Sequence, residues 1–148
     1  MSIKQAIEKD FLEAYKKRDE QTVSVLRMIK SAIKNAEINT KAEFSDDETI
    51  KLLRKEAKQR EMAAAEYEKG GRIDLSKKER AEAKLITEYL PAEMDEATLL
   101  KVVQEAIREV GATELRDMGR IMPLVMKKVG SNADGGNISR IVRELLQK

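Results

Sequence analysis

The sequence predicts an all-α protein: a helical N-terminal subdomain over residues 1–91, then a small three-helix bundle over residues 92–148. Three observations carry this. Apolar residues recur at helical rather than alternating spacing in every long segment. Capping residues open those segments and glycines close them. Pro91 divides the chain, because proline disfavours helical geometry at Leu90 and donates no backbone hydrogen bond.

The first helix is expected to start near Ser2, with Ile3, Ile7, Phe11 and Ala14 on one stripe. Asp19 can cap the second, where Val25, Leu26, Ile29, Ala32, Ile33 and Ala36 share a broad face. Ser45-Asp46-Asp47-Glu48 has capping-box form, Ser45 accepting from the Glu48 backbone while Glu48 reaches back. The third helix then runs through Ile50, Leu53, Ala57 and Ala64 to a stop at Gly70-Gly71. Ser76-Lys77-Lys78-Glu79 repeats the capping-box pattern inside a fourth helical region that continues through Leu85, Ile86, Tyr89 and Leu90.

Beyond Pro91, Asp95 caps a fresh start. The fifth helix carries Leu99, Leu100, Val103, Ala106, Ile107 and Val110 before Gly111; the sixth carries Met118, Ile121, Met122, Val125 and Val129; the seventh carries Ile138, Ile141, Val142, Leu145 and Leu146. Pro123 falls inside the sixth pattern, so that helix either kinks there or starts late. The glycine-rich run "GSNADGG" at 130–136 has the glycine frame of a phosphate-binding loop. It lacks the Lys and hydroxyl that such a loop needs, and the segment before it reads as a helix rather than a strand. It is expected to be a helix-to-helix connector, with Gly130 ending one helix and Asp134 or Asn137 capping the next.

Composition narrows the chemistry. The 148 residues contain no Cys and no His, which removes disulfides, Cys/His zinc sites, thiol nucleophiles and the histidine general base. Aromatics are 3%, too few for the stacking platforms of common RNA-binding sheets. The charged N-terminus is unlike a signal peptide and no apolar run is long enough to span a membrane, so a soluble cytoplasmic protein is expected. No catalytic or metal-binding constellation is evident. Carboxylates sit at helix starts or at helical spacing from cations, as in Lys4/Glu8, Glu56/Arg60 and Arg140/Glu144, where the ordinary expectation is a solvated helix face.

The net charge is only +2, yet the cations are gathered. Arg27, Lys30 and Lys34 fall together on the second helix; Lys51, Arg54, Lys55 and Lys58 form a stripe on the third. Residues 91–115 are predominantly acidic, whereas 116–148 hold Arg116, Arg120, Lys127, Lys128, Arg140, Arg143 and Lys148 against three carboxylates. Like charges on one face repel, so stability alone does not favour gathering them. A phosphate backbone is a partner that does.

Several stretches resemble the YqeY-like proteins: "VLRMIKSAIKNAE" at Val25–Glu37, "LRKEAKQREMAAAEYEKGGRIDL" at Leu53–Leu75, and "EYLP" at Glu88–Pro91. "DMGRIM" at Asp117–Met122 and "ADG" at Ala133–Gly135 are similar to that family's C-terminal signature, though Asn132 stands where the family often has a basic residue. The family's C-terminal part is shared with the tail domain of the B subunit of the glutamyl/aspartyl-tRNA amidotransferase, which is thought to grip the tRNA body.

The resemblance implies a bundle like that tail in residues 92–148, and a mainly structural role for the motif residues Asp117, Met118, Gly119, Ala133, Asp134 and Gly135. It further implies a module that binds tRNA without catalysis of its own and without metal or cofactor. Its link would be to tRNA-dependent amidation, a carbon–nitrogen ligation with glutamine as amido donor. The partners implied are tRNA and, beside it, the amidotransferase or another protein of tRNA metabolism. The RNA-contact candidates are Arg116, Arg120, Lys127, Lys128, Arg140 and Arg143, then Arg27, Lys30, Lys51, Arg54 and Lys58. The alternative is a protein-interaction module whose basic faces meet an acidic partner such as the amidotransferase complex.

Overall fold

A computed structural model describes residues 1–130 and 132–147. Helices account for every regular element among the described residues, and there is no strand. The chain folds as two compact units, Met1–Leu90 and Pro91–Lys148.

The first unit holds α1 (Ile3–Lys17), α2 (Glu20–Thr40), α3 (Asp46–Lys69) and α4 (Ile73–Thr87). Ser2 opens α1 with a full capping box: its hydroxyl accepts from the Gln5 N–H at 3.1 Å, and the Gln5 side chain accepts from the Ser2 N–H at 2.9 Å. Asp19 caps α2 through the Thr22 N–H. At α3 only half of the expected box forms. The Ser45 hydroxyl accepts from the Glu48 N–H and itself donates to the Glu48 carboxylate, which therefore does not turn back to the Ser45 backbone. Ile7, Val25, Leu26, Ile29, Ile33, Leu53, Ala57 and Ile86 make one apolar core drawn from all four helices. Tyr89 closes one edge, its hydroxyl donating to Asp10 at 2.6 Å; burial and this bond push the phenol above its ordinary range.

Two expectations about the α3–α4 hairpin are corrected. Ser76 does not cap α4: the helix begins at Ile73, so Ser76 lies one turn inside, buried, and its hydroxyl donates across to Glu68 on α3 at 3.0 Å. Arg80 joins the same carboxylate at 2.7 Å and reaches Glu61, and the Arg80 and Ser76 bonds hold the Glu68 carboxyl below the usual carboxylate range. Nor does α4 extend to Leu90. It ends at Thr87, and the N–H groups of Tyr89 and Leu90 take tighter i→i−3 bonds before Pro91.

Arg60, read as a solvated partner of Glu56, is 8% exposed. It donates to the carbonyl and the carboxylate of Glu56 at 2.9 and 2.8 Å and to the Met28 sulfur, and its Nε lies 3.6 Å from Glu82. Burial raises the Glu82 carboxyl above the usual range, with Glu79 adding to the effect. The expected Lys4/Glu8 pair is replaced by pairs across helices: Lys4 with Glu37 and Lys30 with Glu8, each at 2.6 Å.

The second unit holds α5 (Glu96–Val110), a 3-10 turn (Leu115–Asp117), α6 (Met118–Val129) and α7 (Gly135–Leu146). Asp95 caps α5 through the Thr98 N–H at 2.7 Å, and Gly111 ends it at φ 71°, a conformation that glycine adopts without steric penalty. The core joins Leu99, Val103 and Ala106 of α5, Ile121, Val125 and Val129 of α6, and Ile138, Ile141, Val142 and Leu146 of α7.

The connector after α6 turns on Gly130, at φ 58° and ψ −129°, a region essentially reserved for glycine. The Asn132 N–H closes the turn on the Val129 carbonyl at 3.2 Å. The Asn132 carbonyl accepts from the Met94 N–H at 2.7 Å, which fastens the connector to the approach to α5. Asp134 stands at the cap position of α7, and Asn137, the other candidate, lies inside the helix. Ser131 and Lys148 lie outside the described residues.

Pro123 is neither first-turn nor helix-ending: α6 runs through it. Interior proline costs about 3 kcal/mol, because it forfeits one backbone bond and crowds the carbonyl four residues back. Here that carbonyl belongs to Gly119, and both residues are exposed. A helical glycine adds a further cost of roughly 0.5–1 kcal/mol relative to alanine.

Candidate nucleic-acid interface

The rotation of about 100° per residue decides which cations of the second unit face outward. With Ile121, Val125 and Val129 turned inward, Arg120 and Lys127 lie opposite them. They are seven residues apart and so only about 20° apart around the helix. Pro123 lies between them, and α6 itself contains no carboxylate. On α7 the inward side belongs to Ile138, Ile141, Val142 and Leu146, which turns Arg140 and Arg143 outward.

Pairing separates these cations into two groups. Arg116 meets Glu114 at 2.5 Å, Arg120 meets Asp117 at 2.9 Å and Lys128 meets Glu109 at 2.8 Å. Arg140 is held by Glu96 and, at 3.2 Å, by Glu144, and those two carboxylates raise its basicity. Lys127 and Arg143 are exposed and make no ion pair among the described residues. Exposed pairs stabilise by only ~0–1 kcal/mol, so a phosphate can compete for the paired cations. Each paired cation nevertheless brings a carboxylate to the surface, which lowers the local field that an incoming polyanion meets.

Asp117 organises the entry to α6. One carboxylate oxygen accepts from the N–H groups of Thr113 and Glu114 at 3.0 and 3.1 Å, and the other accepts from Arg120. The Thr113 N–H, then Arg120 and the Glu114 N–H, hold the Asp117 carboxyl down at about 2. Met118 and Ala133 are half-buried against the core, Asp134 and Gly135 form the start of α7, and Gly119 is an exposed residue of α6.

In the first unit, Arg27 and Lys30 lie over the Phe11 ring at 5.7 and 4.2 Å from its centroid, and Lys30 is also tied to Glu8. These are cation–π contacts within the fold. Arg54 is half-buried, and both Arg54 and Lys58 interact with groups of the fold. Lys51 is exposed and makes no ion pair among the described residues; Lys34 and Lys55, on the same faces as the candidates, share that state. No group of three or more carboxylates among the described residues is gathered as a metal would require.

Two units built of helices define the class: an all-α protein. The chain belongs to the YqeY-like protein family, whose model matches residues 4–146. An uncharacterized protein of Schizosaccharomyces pombe is 28% identical over 90 residues, covering 61% of this chain and 73% of that protein. A protein of Vanderwaltozyma polyspora named altered inheritance of mitochondria protein 41, mitochondrial, is 30% identical over 120 residues. That match covers 76% of this chain and 64% of the relative. Among the described residues no helix is long and apolar enough to cross a membrane.

Proposed function

We propose that this chain is a helical module that binds tRNA without catalysing a reaction, and that it serves tRNA-dependent amidation. The observation that carries the reading is the outward face of α6, where Lys127 makes no ion pair among the described residues and the helix itself holds no carboxylate. Arg143 on α7 adds a second unpaired cation to the same unit. The likeness of this unit's motifs to the amidotransferase tail supplies the link to tRNA. Phosphate contacts position RNA without reading bases, so affinity is expected to depend on salt and on tRNA shape more than on isoacceptor identity.

The test is a salt series of tRNA affinities for wild type and for Lys127→Ala/Arg143→Ala. Loss of two phosphate contacts flattens the logarithmic salt slope by roughly one to two units, at ~0.7–0.9 per contact. A parallel Arg120→Ala/Lys128→Ala variant, whose cations are already paired, is expected to change the slope less. Equal affinity of all three proteins for tRNA removes this face from the interface. A second reading is favoured by Leu115 and Met126, exposed apolar side chains beside these cations. They suit an acidic protein partner such as the amidotransferase, and binding of that partner with no tRNA affinity at low salt decides for it.

A further inference from the structure

Gly119 and Pro123 are residues that α6 does not need. Gly119 has negative φ, and a Cβ built there meets nothing within 4 Å. Pro123 is exposed and fills no place in the core. Both weaken a helix, and they stand four residues apart on its outward side. Proline has no N–H, so the Gly119 carbonyl has no donor at the position where a helix ordinarily supplies one. The result is a backbone acceptor that lacks its helical donor, on an exposed residue with no side chain of its own, with Arg120 next to it and Lys127 two turns further along the same face.

A phosphate cannot satisfy that carbonyl, because a phosphate diester offers only acceptors. A ribose can. The 2′-hydroxyl is a donor that lies between successive phosphates, and DNA lacks it. Building on the tRNA reading above, we infer that the outward face of α6 is the element that distinguishes RNA from DNA. Lys127 holds a phosphate, while a 2′-hydroxyl donates to the Gly119 carbonyl that Pro123 deprives of its helical donor. Pro123 is then a positioning residue: it withholds a donor from the helix so that the ligand can supply one.

Two substitutions test this, and both favour the helix. Pro123→Ala restores the N–H that takes up the Gly119 carbonyl from within. Gly119→Ala leaves the carbonyl open but sets a methyl beside its approach. Affinities are measured at one salt concentration for a transcribed tRNA and for a DNA of the same sequence. Wild type is expected to prefer the RNA. Each variant is expected to lose roughly 2- to 10-fold in RNA affinity, the worth of one hydrogen bond, while its DNA affinity holds. The melting temperature should rise and the salt slope should stay, because no phosphate contact is lost. A merely structural role predicts a changed melting temperature with an unchanged RNA-to-DNA ratio, and that result overturns the inference. Wild type that binds RNA and DNA equally overturns it as well and leaves tRNA binding standing. Wild type that binds neither at low salt removes the tRNA reading and this inference together.

Discussion

Ile121→Ala tests whether the two units are separate folding domains, as the division of the cores suggests. Ile121 is fully buried and belongs to the core of the second unit; the two cores have no residue in common. Truncating a buried Ile to Ala costs about 2–5 kcal/mol, from lost transfer energy and the cavity left behind. A unit of about 60 residues has ~3–9 kcal/mol of stability in total, at ~0.05–0.15 kcal/mol per residue. The loss is therefore of the same order as everything that holds the second unit folded. At ~4–8 °C per kcal/mol for a domain of this size, its melting temperature should fall by roughly 10 °C or more.

The assay is hydrogen exchange on the full-length chain, read residue by residue. Val103 and Val142 report the second unit, and Leu53 and Ile86 report the first. In the variant, protection should collapse at Val103 and Val142 and persist at Leu53 and Ile86. Equal loss at all four positions would refute the reasoning, because it would mean that the chain unfolds as one cooperative body.

Other outcomes follow from single groups. The Asp117 carboxyl is held at about 2, below its unfolded value near 3.9, so its stabilisation is present above pH 4 and is lost as pH falls towards 2. Asp117→Asn should therefore melt below wild type at neutral pH, with the gap closing between pH 4 and pH 2 in a series of thermal melts. Gly111→Ala should cost about 1–2 kcal/mol, the penalty of a Cβ at positive φ, and denaturant titration reads it directly.

The local features were legible because their causes lie within a few residues. Ser2, Asp19 and Asp95 each cap from three residues away, and Gly70, Gly111 and Gly130 end their helices where expected. Apolar stripes such as Ile121, Val125 and Val129 announced which side of a helix turns inward. Boundaries set by competing signals were less legible. Ser76 has the pattern of a cap, but the chain had already entered the helix at Ile73, and its hydroxyl found Glu68 across the hairpin.

By itself, then, the sequence determined the helices, their stops, the inward faces and the absence of thiol and imidazole chemistry, all properties of short range or of composition. The pairs at helical spacing, Glu56/Arg60 and Arg140/Glu144, form as the sequence implied, whereas the pairs that cross between helices were decided by tertiary structure. Lys4 finds Glu37 rather than Glu8, Lys128 finds Glu109 and Arg140 finds Glu96, because helix packing brings together groups that the helical wheel cannot relate. Arg60 turns from a surface residue into a buried one for the same reason. A charge pattern marks where cations are gathered. Of the six described cations beyond residue 115, four meet a carboxylate in the fold, and Lys127 and Arg143 make no ion pair among the described residues.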